Sequence, residues 1–224
     1  KEENLPQKFD GDQNTIIIKK KVSLIANLDK ELQRLTASAN EFKRTFKELG
    51  VELSKNEKQI FKTIESLKEQ KKKLEEEVKT LMTESENKQE IVNRYQSIPG
   101  ISEYTASLTT LFFKEKEYSR NAKQWIAFAG LDVSVRESGH WRGKGKITKR
   151  GNGYLRRRLF QAAWGAVMHS NQFKTYYQYL RDKGKSYVES LIIISRKIIT
   201  IMFTLNKNKC FYDCSRKLFN PNVS

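Results

Sequence analysis

Apolar residues at Ile25, Leu28, Leu32, Leu35, Ala39, Phe42, Phe46 and Leu49 are separated by alternating steps of three and four. That is the spacing of a heptad seam, and it commits this part of the chain to a long amphipathic helix. Gly50 interrupts the rhythm, as a residue suited to closing a helix, and Ile60, Ile64, Leu67, Leu74, Val78 and Leu81 resume it, with Lys71 as the polar exception. Two such helices joined near Gly50 predict an antiparallel coiled-coil hairpin over residues 16–90, behind a polar leader at 1–15. The outer faces of the second helix, "LKEQKKKLEEEVKT", are almost wholly charged, which suits a solvated coiled coil and argues against a catalytic pocket there. Heptads specify association but not the partner, so the hairpin is either a dimerisation arm or a stalk that packs on itself.

The composition changes at "SIPGISEYTASLTTLFF", residues 97–113, where Pro99 and Gly100 break the helical pattern. From a boundary at about residue 90 the pattern predicts a helix from Glu103, one around "AKQWIAFAGL", one from Tyr154 to Met168, one from Asn171 to Arg181 and a last one from Tyr187 to Leu205. Short strands are allowed only around Val133 to Arg136 and at Ile147. The expected fold is therefore all-α: the hairpin, a compact helical domain over 91–206, and a basic tail at 207–224. The run "LIIISRKIITIMFTL", Leu191 to Leu205, is shorter than the roughly 20 apolar residues of a membrane span and is interrupted by Ser195, Arg196 and Lys197. It reads as a buried helix, and no membrane partner is expected. The opening residues "KEENLPQKFDGDQN" lack the apolar core of a signal peptide, which predicts a cytoplasmic protein.

Lysine and arginine number 43 against 26 acidic residues, a formal net charge of +17, and such an excess points to a polyanionic partner, above all nucleic acid. Two stretches would meet it. In "RYQSIPGISEYTASLTTLF" an apolar approach leads into a tight Pro-Gly turn, followed by the small residues Ala106 and Ser107 where a helix would lie close to its neighbour. This is similar to a helix-hairpin-helix element, whose turn offers backbone N–H groups to a DNA phosphate. A stricter version has a second glycine where this chain has Ser102, and a plain packing corner between helices is the alternative.

The second stretch is "GLDVSVRESGHWRGKGKITKRGNGYLRRR", Gly130 to Arg158. Gly139, Gly143, Gly145, Gly151 and Gly153 let backbone turn sharply or approach a ligand, while Arg142, Lys144, Lys146, Lys149 and Arg150 supply cations along the same loop. With Gly100, Asn152 and Arg156 these cations are the candidate nucleic-acid contacts; a solvated basic loop is the bland alternative. It is not a nucleotide P-loop, because five residues separate Gly139 from Gly145 where four are required and Ile147 follows the lysine where Ser or Thr would bind magnesium. Arg156, Arg157 and Arg158 point in three directions around a helix, so at least one of them packs or pairs internally.

Ser138, beside Gly139 in this cationic setting, is a candidate nucleophile toward phosphorus, although a Ser-Gly pair is more often only a turn. His140 and His169 are the two histidines available as bases. No acidic cluster in the second half suggests paired metal ions, Asp10 and Asp12 fall in the leader, and Cys210 and Cys214 lack the companions of a zinc site, so no metal ligands and no cofactor are assigned.

The ordered series "SIPGISEYTASLTTLFF", "AKQWIAFAGLDVSVRESG", "GKITKRGNGYLRRRLFQAAWGAV" and "DKGKSYVESLIIISRKIITIMF" closely resembles the C-terminal half of the DEDD transposases of bacterial insertion sequences, the group that includes the Piv and MooV DNA invertases. The resemblance covers about residues 90 to 206, and the helical hairpin before it is similar to the coiled coil that joins the two domains of that family. It implies a role in DNA transposition and site-specific recombination, with Ser138 as the serine that joins an acidic site as nucleophile. It also implies a RuvC-like domain carrying four metal-binding acidic residues, with which alone magnesium is expected. No such domain is seen in these residues, so the chain is expected to be a catalytically incomplete C-terminal portion. DNA, a structured guide RNA as some members use, and a second copy bound through the coiled coil are the partners implied. The competing reading is a non-catalytic nucleic-acid-binding or assembly remnant acting through its coiled coil.

Overall fold

The computed structural model describes residues 13–83, 86–114, 121–134, 137–138, 141–142, 145–215 and 218; at 137–138 and 141–142 the description is of backbone only. The leader with Asp10 and Asp12 lies outside the described residues. The chain divides into two compact units, Lys1–Leu81 and Met82–Ser224.

In the first unit, helix α1 (Gln13–Glu48) is followed by α2 (Lys55–Thr83), as the two seams predict. Partner numbers rise on one helix as they fall on the other, the mark of an antiparallel pair: Lys21 Nζ meets Glu77 Oε2 at 3.1 Å, Lys71 Nζ meets Asp29 Oδ1 at 2.7 Å, and the Phe42 and Phe61 rings lie 6.3 Å apart. The turn is built locally. Gly50 takes a left-handed φ of 67°, its N–H donates to Lys47 O, and the Val51 N–H reaches back to Phe46 O, which closes α1. Ser54 and Glu57 then cap α2 reciprocally, Ser54 N–H to Glu57 Oε2 at 2.7 Å and Glu57 N–H to Ser54 Oγ at 3.3 Å.

The second unit opens with α3 (Glu86–Gln96), a turn through Gly100, and α4 (Glu103–Lys114). The helix α5 (Ala122–Phe128) follows, capped by the Asn121 side chain. Two short antiparallel ladders come next: β1 (Val133–Ser134) pairs with β4 (Lys146–Ile147), and inside them β2 (Glu137–Ser138) pairs with β3 (Trp141–Arg142). The fold is mostly helical; β1 and β4 fall where the sequence left room for strands, whereas β2 and β3 form where it predicted none. Three helices complete the unit, α6 (Gly153–His169), α7 (Asn171–Asp182) and α8 (Tyr187–Asn208).

The core gathers around α8, which packs against α3, α5, α6 and α7. Its residues Leu191, Ile194, Ile198, Ile199 and Met202 are fully buried, so the apolar run is a core helix. No helix among the described residues is long and apolar enough to cross a membrane. Trp125 of α5 stacks on Phe113 at 4.2 Å and meets Phe203 edge-on at 5.3 Å. After α8 the chain returns over the unit: the Tyr212 N–H donates to Ser97 Oγ, its hydroxyl donates to Gln172 Oε1, and its ring lies 6.3 Å from Phe173.

Candidate nucleic-acid interface

The Pro-Gly turn between α3 and α4 has the geometry its residues foretell, but its glycine faces inward. Gly100 has φ 82°, and a Cβ placed on it would lie 2.2 Å from Ala166 N and 2.8 Å from Ala162 O. Only a residue without a side chain lets this turn press on α6, where Ala162, Gly165 and Ala166 are equally small. Ser102, in the position of the absent second glycine, is the N-terminal cap of α4: its Oγ accepts from Thr105 N–H at 3.3 Å and lies 3.0 Å from Thr105 Oγ1. Ala106 and Ser107 are both fully buried, consistent with the close helix approach read from the sequence.

The glycine-basic stretch forms a rigid base with an arm. At the base, Thr148 N–H donates to Asp132 O at 2.9 Å, the Thr148 hydroxyl bonds the Asp132 carboxylate, and Lys149 N–H donates to Gly130 O at 3.1 Å. Gly151 lies so close to the end of α5 that a Cβ on it would sit 1.9 Å from Phe128 O. Lys149 itself holds a left-handed φ of 56°, an unusual conformation for a lysine that the surrounding bonds impose. Asn152 caps α6, its Oδ1 accepting from Tyr154 N–H at 2.9 Å and Leu155 N–H at 3.0 Å.

This clamp turns Lys146, Lys149 and Arg150 to solvent, all three exposed within five positions of one another. Arg156 points the other way, with its guanidinium donating to Ala129 O at 3.2 Å and Gly151 O at 3.5 Å, as a strut between α5 and the loop. Arg158 is also engaged internally: it donates to the Tyr154 hydroxyl through Nε at 3.1 Å and a terminal nitrogen at 2.8 Å, and lies 4.9 Å from the Tyr104 ring centre. The Tyr154 hydroxyl in turn donates to Tyr104 Oη at 3.2 Å. Arg157 lies 5.6 Å from the Tyr154 ring. Sequence reasoning foresaw that the arginine triplet must divide its directions, but the tyrosine partner on α4 is fifty residues away and had no local signal.

Between the ladders of the arm, Ser138 stands opposite Trp141 in the register and Glu137 opposite Arg142. The candidate nucleophile is thus on an extended hairpin strand. Its side chain, the side chain of Arg142, and the whole of Gly139, His140, Gly143 and Lys144 lie outside the described residues. His169 is exposed at the far end of α6. The Gly100 turn contacts α6 at Ala162 to Ala166, about 15–20 Å along the helix from Asn152 at 1.5 Å per residue, so the two stretches do not form one local site. Among the described residues no group of three or more His, Cys, Asp and Glu side chains converges to hold a metal ion, so no metal-dependent step is derived from them.

Comparison with known proteins agrees with the resemblance carried by the motifs. Residues 92–178 match the family described as Transposase IS116/IS110/IS902 family. Over 117 residues the chain is 25% identical to the insertion element IS110 uncharacterized 43.6 kDa protein of Streptomyces coelicolor. That alignment covers 52% of this chain and 29% of the Streptomyces protein, so the chain matches under a third of its relative's length.

Proposed function

We propose that the second unit, whose residues 92–178 match the Transposase IS116/IS110/IS902 family, binds DNA for transposition through the exposed cations at the base of the β arm. The observation that carries this reading is the clamped loop in which Lys146, Lys149 and Arg150 face solvent while backbone bonds to Asp132 and Gly130 hold it rigid. Preorganised cations lose little freedom on meeting a phosphate backbone, and phosphate contacts set the register of a protein on DNA. Arg142 and Lys144 add two further cations to the same stretch of sequence. Asn152 and Arg156 serve this interface as positioning residues, the first capping α6 and the second bracing the loop, whereas Gly100 seats the α3–α4 turn farther along α6.

In this reading the arm presents Ser138 to a scissile phosphodiester. Its hydroxyl oxygen attacks phosphorus, one DNA strand leaves as a 3′- or 5′-hydroxyl, and the serine proton passes to a base at the completed site. Completion would require a RuvC-like domain, whose acidic residues would hold the metal ions that stabilise charge on the phosphate. The first unit would assemble copies of the chain, a reading supported by apolar seam residues that remain exposed: Leu35 at 47%, Phe42 at 38% and Ile60 at 59%.

The test is duplex binding over a range of salt concentrations by the parent chain, by the combined Lys146→Glu, Lys149→Glu and Arg150→Glu variant, and by Ser138→Ala. The charge-reversed variant is expected to bind more weakly, with a slope of log K against log salt shallower by about 0.9 for each phosphate that it no longer neutralises. Ser138→Ala should bind like the parent and fail to capture DNA covalently in the presence of a RuvC-like domain. Unchanged affinity and slope after charge reversal would remove the proposed interface.

A further inference from the structure

One exposed aromatic pair lies outside the basic loop. Trp164 of α6 is 41% exposed and Tyr187, the first residue of α8, is 43% exposed; their rings meet at 5.6 Å with an interplanar angle of 64°. The other tryptophan whose burial is described, Trp125, is a core residue at 2%. An indole left partly in water keeps ring surface available to stack on a ligand. The edge-to-face contact holds the pair in a fixed orientation and leaves ring surface open.

Basic residues gather beside the pair. Lys185, Lys183 and Arg181 are exposed on the turn that leads into Tyr187, and Arg181 is tied to this turn by a 2.7 Å bond to Lys185 O. Arg157 precedes Trp164 by two helical turns on the same face of α6. The two nearby acids are engaged elsewhere: Asp182 accepts from Gln178 at 2.8 Å, and Glu189 accepts from Ser186 N–H at 2.9 Å in the capping box of α8. An aromatic platform bordered by cations is the combination that binds unpaired nucleotides, whose bases stack while their phosphates pair with the cations; a duplex keeps its base faces covered.

From this juxtaposition we infer that Trp164 and Tyr187 form a second nucleic-acid site, which stacks a base of an unpaired strand while Arg157, Lys183 and Lys185 meet the flanking phosphates. The inference rests on the nucleic-acid reading of the second unit but uses none of the residues of the basic loop.

The experiment measures binding of the full chain to labelled oligothymidylate and to a duplex of equal length, for the parent, Trp164→Ala, Trp164→Phe, Tyr187→Ala and the charge-reversed loop variant. Trp164 is 41% exposed and lies outside the fully buried core, and circular dichroism checks that each variant keeps the helical content of the parent. Trp164→Ala is expected to weaken oligothymidylate binding about tenfold with little change on duplex, and Trp164→Phe to retain most of the affinity. The charge-reversed loop variant should show the converse, with the larger loss on duplex. Equal affinities of parent and Trp164→Ala for oligothymidylate would overturn the site. So would a change in oligomer size with no change in affinity, which would make the patch a contact between copies of the chain. Weakening by Trp164→Ala but none by loop reversal would keep this site and remove the loop interface; the opposite pattern would do the reverse. A parent that binds neither probe removes both.

Discussion

Gly151 and Gly153 stand two residues apart in one loop, yet a methyl group added to each meets opposite surroundings. At Gly151 the new Cβ would fall 1.9 Å from Phe128 O and 2.6 Å from Gly130 N, both backbone atoms that cannot swing aside. At Gly153, the first residue of α6, the nearest atom is the tip of the Arg156 side chain at 3.5 Å. Gly151→Ala is therefore expected to cost about 1–3 kcal/mol through forced backbone movement, while Gly153→Ala gains about 0.5 kcal/mol by restricting the unfolded chain. Urea denaturation followed by circular dichroism checks both, and equal effects at the two positions would contradict the packing described. In the sequence the two glycines looked alike, because what distinguishes them is the end of α5, more than twenty residues earlier. The same holds for Gly100, legible as a turn but seated on α6, and for Arg156, legible as a cation but bonded to Ala129 O just past α5.

At the scale of elements, the heptad seams were the most legible part of the chain, and their one irregularity has a structural reason. Lys71 stands where the rhythm asks for an apolar side chain, and its ammonium lies 2.7 Å from Asp29 on the opposite helix and 3.5 Å from Glu75 on its own. The three side chains are only 18%, 13% and 16% exposed, so the charges meet where water competes weakly. A polar pair within an apolar seam matches only one alignment of the helices and so helps set their register. Lys71→Ala is expected to cost the hairpin about 1–2 kcal/mol by removing the ion pair across the helices and the stem that fills the seam, and Lys71→Met to cost less because its stem still fills the seam. A thermal melt of the two variants checks the order; a more stable alanine variant would sink the argument. The helices from Glu103 onward were also readable, since their caps and apolar stripes are local. The separate helix α3 was not, because its pattern continues the hairpin's, and the β excursion shows only two residues per strand, too few for an alternation to register.

For the whole molecule, the net charge of +17 and the exposed seam residues of the first unit lead to one prediction about assembly. If copies associate through the hairpin, Leu35→Glu combined with Ile60→Glu should reduce the mass found by light scattering to that of a single chain, without altering the helical content. A parent that is already monomeric at high concentration would exclude assembly by this route. By itself the sequence determined the helical character of both units, the turn at Gly50, the core role of the Leu191 to Leu205 run and the resemblance to insertion-sequence transposases, because periodicity, caps and ordered motifs are written in neighbouring residues. The tertiary structure decided which glycines carry helix contacts, which arginines turn inward to carbonyls and tyrosines, which lysines stay in solvent, and that Trp164 and Tyr187 share an open surface. Those outcomes depend on packing between segments far apart in the chain, where burial and geometry act on residues that no local pattern connects.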